Sequence, residues 1–281
     1  MRVHHLDCGS LRTIAALDRG LPERRVVCHC LLIETDTSGL VLVDTGLGLG
    51  DIRRASETLG ADFLSFAAPV LDPEQSAVRQ VARLGYSPDD VRHVVLTHLH
   101  RDHTGGLPDF PHAAVHVHPD EYRAVTDPTA EHHTESLSRF MPAHRAHGVR
   151  WRIAQPDARI SWFGVHGVAT LDGLPPEILL VPLPGHTPGH SAVAVREHTR
   201  WLLHTGDAYL YHGELDDPPQ SHPAVEPIQS GAQVDAETRL RGVRWLRAIQ
   251  HDHPDEIEPF CAHDPWEFAR LSGPNTSPAM T

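Results

Sequence analysis

Positive charge is what this sequence is short of. Arg and Lys total 24 against 37 Asp and Glu, a formal net charge of −13 with histidines neutral. A nucleic-acid backbone needs a basic surface to meet its phosphates, so no nucleic-acid partner is expected and a small-molecule substrate is. Long apolar runs are missing too: no stretch reaches the roughly 18 residues of a membrane-spanning helix. The first residues include Arg2, His4, His5 and Asp7, where a secretory segment would carry an apolar run. No signal peptide and no membrane partner are therefore expected. Cysteine is scarce, with only Cys8, Cys28, Cys30 and Cys261. The spacing of Cys28 and Cys30 fits neither a zinc knuckle nor a CxxC redox pair. Buried free thiols in a reducing cytoplasm are the expectation. No repeat is clean enough for an array, and no nucleophile elbow is visible.

What is present is an ordinary globular composition, 40% hydrophobic and 22% charged over 281 residues, enough for a sizeable core. Short runs rich in Val, Ile and Leu read as strands: Val26–Ile33, Leu40–Val43, Val94–Leu96, Ala114–Val117, Ile178–Leu183, Ala192–Val195, Trp201–Leu203 and Ile257–Cys261. Asp72-Pro73-Glu74-Gln75 has the N-cap, first-turn proline and capping-box partner of a helix start, with Gly85 as its stop. Asp235 starts a second helix, on which Ala236, Leu240, Val243, Leu246 and Ile249 make an apolar stripe read as a core face. Two sheets packed face to face and covered by helices accommodate this order. One domain over residues 1–271 is expected, with excursions at 46–71, 121–162 and 209–234 and a frayed tail at 272–281.

Histidine is the oddity, at 24 residues, most of which must be plain. The decisive segment is Val94-Val95-Leu96-Thr97-His98-Leu99-His100-Arg101-Asp102-His103, followed by Thr104, Gly105 and Gly106. A buried strand ends directly in three histidines and an aspartate. Residues two apart at a strand end point the same way, so His98 and His100 converge on one ion. A turn then lets Asp102 and His103 face a second, and the Gly pair lets the backbone turn tightly there. Imidazole with carboxylate suits Zn²⁺ first, and also Fe, Mn or Co. Further candidates follow later strands: His186 in Gly185-His186-Thr187-Pro188-Gly189-His190, Asp207 in Gly206-Asp207-Ala208, and His263 in Ala262-His263-Asp264.

In that HxHxDH pattern, and in the order of the three later segments, the chain resembles the metallo-β-lactamase superfamily from about Val26 to Asp264. The resemblance implies an α/β (α+β) fold, an αββα sandwich of two mixed sheets flanked by helices, with a two-metal site at one edge. Carried over residue by residue, it implies that His98, His100 and His186 bind one divalent ion. Asp102, His103 and His263 bind another, and Asp207 bridges the pair. Asp44 matches the family's strand-end aspartate that orients a ligand. Two such cations lower the pKa of a shared water, so a bridging hydroxide attacks an ester-type bond, with Asp102 or Asp207 accepting a proton.

Within the superfamily the chain is most similar to the acyl-homoserine lactone lactonases, which makes a lactone the expected substrate. In those enzymes an Asp-Ala pair is followed by a tyrosine that hydrogen-bonds the substrate. Here Leu210 stands in that place, flanked by Tyr209 and Tyr211, so these two are the candidate contacts if a loop re-aims one of them. Phe63, Leu64 and Phe66 are candidates for an apolar acyl pocket or for plain core. A thioesterase of the hydroxyacylglutathione type is the alternative, although no clear basic patch for a carboxylate is seen. A phosphodiesterase or an iron-dependent oxidoreductase on the same fold are further alternatives. Homodimerisation through the excursions is expected by analogy.

Overall fold

The computed structural model of the protein describes residues 1–18 and 20–273; the expected tail lies outside them beyond Gly273. The first sheet runs β1 (Arg2–Asp7), β2 (His29–Glu34), β3 (Leu40–Val43), β4 (Val91–Val95), β5 (Ala114–Val117) and β6 (Arg150–Ile153), in that spatial order. Its first three strands are antiparallel and the rest parallel. The second sheet runs β7 (Ala169–Thr170), β8 (Ile178–Pro182), β9 (Ser191–Glu197), β10 (Arg200–His204) and β11 (Ile257–Phe260). It is antiparallel except for the β10–β11 pair.

Alternation along the strands assigns the faces. Leu31, Ile33, Val41 and Val43 of the first sheet share one cluster with Ile178, Leu180, Val193 and Val195 of the second, so these faces meet. Their neighbours Cys30, Leu32, Leu40 and Leu42 turn outward under helices, as do Leu179, Val181, Ala192 and Ala194. Burial on both faces is why these strands read as unbroken apolar runs. Each Val, Leu or Ile among them contributes about 1.5–3 kcal/mol by leaving water.

Helices occupy the connections. Residues 46–71 fold into α1 (Leu49–Arg53), α2 (Ala55–Thr58) and α3 (Ala61–Ala67). After them come α4 (Ala77–Arg83) and α5 (Arg101–Thr104). Residues 121–162 hold most of α6 (Pro119–Thr126), then α7 (His133–Arg139), α8 (Pro142–Arg145) and strand β6. Then follow α9 (Glu226–Ala232), α10 (Ala236–Asp252) and α11 (Pro265–Leu271).

Two local readings need correction. Asp72 caps only a 3-10 turn over Pro73–Gln75, and α4 starts afresh after an extended Ser76. On α10, Asp235 caps as expected through Thr238 N, and Val243, Leu246 and Ile249 are buried. Ala236 and Leu240, however, are exposed, and Arg239 takes the inward position. The four cysteines are buried and free.

Candidate metal centre

Five strands aim their C-terminal ends at one edge of the sandwich. β4 runs into His98, β8 toward His186, β10 toward Asp207, β11 toward His263, and β3 into Asp44. There the seven residues assemble into two groups of potential ligands. His98, His100, His186 and Asp207 form one; Asp102, His103 and His263 form the other. Asp207 joins them. Its Oδ2 lies 3.3 Å from His186 Nε2 and 3.8 Å from His98 Nε2. Its Oδ1 lies 3.2 Å from His263 Nε2 and 3.3 Å from His103 Nε2. His263 Nε2 is also 3.7 Å from Asp102 Oδ2.

The ring orientations are fixed from behind. Thr97 Oγ1 donates to Asp44 Oδ2 at 2.8 Å and accepts from His98 Nδ1 at 3.1 Å. His103 Nδ1 donates to Asp44 Oδ2 at 2.8 Å, and His263 Nδ1 to the Val27 carbonyl at 2.7 Å. With Nδ1 committed to the protein, each of these three rings directs its Nε2 to the centre. Asp44 adopts φ 55°, an uncommon conformation for a residue with a side chain, and accepts from Thr97 N at 2.9 Å as well. Asp207 is held by its backbone: its N–H donates to His190 Nε2 at 2.9 Å, and its carbonyl accepts from Gln229 Nε2 at 2.9 Å. His190 donates from Nδ1 to Leu183 O, and His204 donates to His29 O, so both are structural.

These residues suit a divalent metal. The Nε2 atoms of His98 and His103 and the Oδ1 of Asp207 are buried with no hydrogen-bond partner among the described residues. Leaving a buried polar atom unsatisfied costs about 1–3 kcal/mol, and a cation removes that cost for all of them. Burial holds His98 and His100 well below the ordinary histidine range and His186 at about 3, so these rings are neutral and suited to accept a cation. Burial opposes charge on His103 and His263 too, but Asp207 with Asp44 at His103, and with Asp102 at His263, outweighs it and raises both. That anionic field is what a cation would meet.

The sequence profile of the metallo-beta-lactamase superfamily matches residues 24–244. The chain belongs to this superfamily. It is 37% identical over 278 residues to a “probable metallo-hydrolase” of Mycobacterium tuberculosis, covering 96% of this chain and 83% of that protein. An N-acyl homoserine lactonase of Agrobacterium fabrum is 34% identical over 206 residues, 72% of this chain and 69% of that one. Among solved structures, an N-acyl homoserine lactone hydrolase with N-hexanoyl-L-homoserine at its metal centre superposes with a TM-score of 0.65. It shares 23% identity and covers 94% of either chain. The fold is thus that of the superfamily, and the chain is a metallo-hydrolase of its lactonase-like subgroup.

Beside the metal centre of this metallo-hydrolase lies a cavity of about 600 Å³, which His100, Asp102, His186, Asp207 and His263 help to line. Phe63 and Phe66 line it as well, with Leu11, Val26 and Val225, whereas Leu64 only packs against their cluster. The tyrosine expectation fails. Tyr209 is fully buried and donates to Glu267 Oε1 at 2.9 Å, and Tyr211 donates to Asp18 Oδ2 at 3.2 Å. Leu210 between them is the residue that lines the cavity, while Tyr209 packs into the core under the second sheet and Tyr211 beside Trp266. The expectation of no basic patch also fails: Arg12, Arg101 and Arg139 converge on this cavity from three segments. The Gly pair plays another part than foreseen. Gly105 has helical φ −58°, and a Cβ there would stand 2.1 Å from Asp51 Oδ2, so close approach and not unusual backbone requires glycine.

Glu121 was not foreseen. Fully buried on α6, it accepts from Leu99 N at 2.9 Å through Oε1, and from Thr187 Oγ1 at 2.6 Å and Gly189 N at 3.0 Å through Oε2. One carboxylate thereby ties the loop bearing His98 and His100 to the loop bearing His186. Asp51 and His144 form another buried support. His144 bonds Asp51 Oδ1 at 2.9 Å and Thr104 Oγ1 at 2.9 Å, next to His103. No sequence pattern marks these residues, since each meets its partners only through the fold.

Proposed function

We propose that this metallo-hydrolase holds two divalent ions, zinc first among them, and cleaves a carboxylic ester-type bond, a lactone foremost. The observation that carries the reading is Asp207, whose two carboxylate oxygens face one histidine pair each. Bound metals would supply Lewis acidity and an activated water near neutral pH. The chain's own residues do the rest. The buried imidazoles hold the centre, and Asp44, Thr97 and Glu121 keep its ligands pre-aimed before substrate arrives. Asp102, on the cavity wall and less buried than the histidines, is placed to take up a proton as the scissile bond breaks. Phe63, Phe66, Leu11, Val26 and Leu210 offer an apolar wall to an acyl chain and exclude water there.

A lactone fits the likeness to lactonases. A thioester is the second reading, favoured by the guanidinium groups at the cavity. The test is metal content by mass spectrometry together with hydrolysis of a lactone and thioester panel before and after chelation. Two metals per chain and chelator-sensitive lactone cleavage are expected. A purified protein that holds no zinc, and cleaves nothing after zinc or manganese is added, would overturn the reading.

A further inference from the structure

The acidic chain has a cavity whose charge balance runs the other way. Apart from metal ligands, its charged lining is Asp62 against Arg12, Arg101 and Arg139. Two of the three guanidiniums are already engaged. Arg139 pairs with Glu135 at 3.0 Å and donates to Gly231 O. Arg101 donates to the carbonyls of Leu59 and Ser138 and lies over the Phe63 ring. Arg12 is different. It is half-buried, its Nε is fully buried without a hydrogen-bond partner, and no carboxylate of the described residues pairs with it. Its backbone is nevertheless pinned: Arg12 N donates to Ala67 O at 2.7 Å and its carbonyl accepts from Val26 N at 2.9 Å. A half-buried guanidinium whose Nε is buried without a partner costs stability unless a ligand completes it. Its planar fork matches a carboxylate, which it can bind through paired hydrogen bonds.

We infer that the substrate carries a carboxylate on a part of the molecule other than the bond that is cleaved, and that Arg12 recognises it. This rests on the hydrolase reading of the same cavity. An apolar chain ending in an anion would lie along Phe63, Phe66 and Leu11 with its charge at Arg12. The cationic cavity would also draw such a substrate from solution against the repulsion of the chain's −13 charge.

The experiment compares 4-nitrophenyl hexanoate with mono(4-nitrophenyl) adipate, esters of equal chain length that differ in a terminal carboxylate. The zinc-loaded enzyme should favour the adipate ester in kcat/KM by about tenfold or more, the worth of a charged hydrogen bond. In Arg12→Gln the adipate-to-hexanoate ratio should fall by about tenfold to a hundredfold, and Arg12→Lys should recover part of it. An equal loss on both esters, or no preference in the wild type, overturns the proposal. Calorimetric titration of adipate and of hexanoate onto the zinc-loaded protein separates the two readings. Tighter binding of adipate that Arg12→Gln abolishes sustains the Arg12 site even if neither ester is cleaved, and the reading of the cavity as cleaving open-chain esters then falls alone. Equal binding of the two acids overturns the Arg12 site.

Discussion

Each of three imidazoles at the centre has one nitrogen committed to the protein, which leaves the other as a ligand by default. Thr97, Asp44 and the Val27 carbonyl make that choice for His98, His103 and His263. Asp44 bears most of this, since it holds His103 directly and His98 through Thr97. Asp44→Asn exchanges one acceptor oxygen for a donor and leaves His103 or Thr97 without its partner. Zinc affinity should fall about 10- to 100-fold, the usual effect of losing such an outer partner, in competition with a chelating dye. Unchanged affinity would show that the rings orient themselves. Tyr209 gives the opposite expectation. Tyr209→Phe removes a buried bond to Glu267 and should cost about 1 kcal/mol in denaturant midpoint, while kcat/KM changes by less than about twofold. A tenfold loss of kcat/KM would mean that the hydroxyl reaches substrate after all.

At the level of elements, the site depends on loops that share a support. Glu121 joins the loop after β4 to the loop after β8, and burial raises its pKa although three donors face it. Glu121→Gln keeps the size but replaces an acceptor with a donor facing either Leu99 N or both Thr187 and Gly189 N, which leaves buried groups mismatched. Zinc should leave the protein about 10- to 100-fold faster in a stopped-flow chelation experiment. An unchanged release rate would mean that the strands alone position the loops. The strands and the His/Asp cluster at their ends were legible because a strand buried on both faces writes a continuous apolar run, and a polar cluster at its end breaks that run abruptly. β1 was not legible: Arg2, His4, His5 and Asp7 interrupt it, and Leu6 is its one buried residue. β6, Arg-Trp-Arg-Ile at the sheet edge, is mostly exposed and lay hidden in an apparent excursion. Glu121 and Arg12 were silent for another reason. Their roles depend on partners 22 to 68 and 14 to 55 positions away, and nothing local in the sequence records such a meeting.

Across the whole molecule, the N-terminal loop, the segment after Asp207 and the start of α11 meet at His212. Its Nδ1 lies 2.7 Å from Asp264 Oδ2 and its Nε2 2.6 Å from Asp18 Oδ2, with Glu267 and Tyr211 facing the same cluster. Asp264 also caps α11 through Trp266 N and Glu267 N, one residue beyond the ligand His263. Burial opposes charge on His212, but Asp264 and Asp18 outweigh it and raise its pKa to about 9. A histidine raised in the folded state contributes stability that is complete below its ordinary pKa near 6.5 and is lost as pH rises through about 9. Glu267, raised to about 8 by burial with help from Asp264, also favours the folded state less as pH rises from its usual range through 8. The two must therefore be separated. Urea midpoints taken between pH 6.5 and pH 10 should fall for the wild type, with His212 contributing on the order of 1–3 kcal/mol of the change. His212→Asn should start lower and show a flatter slope between pH 6.5 and pH 9, because the Glu267 contribution is common to both proteins. If the variant and the wild type run parallel up to pH 10, His212 is not charged in the folded protein, and the three segments are joined by packing alone.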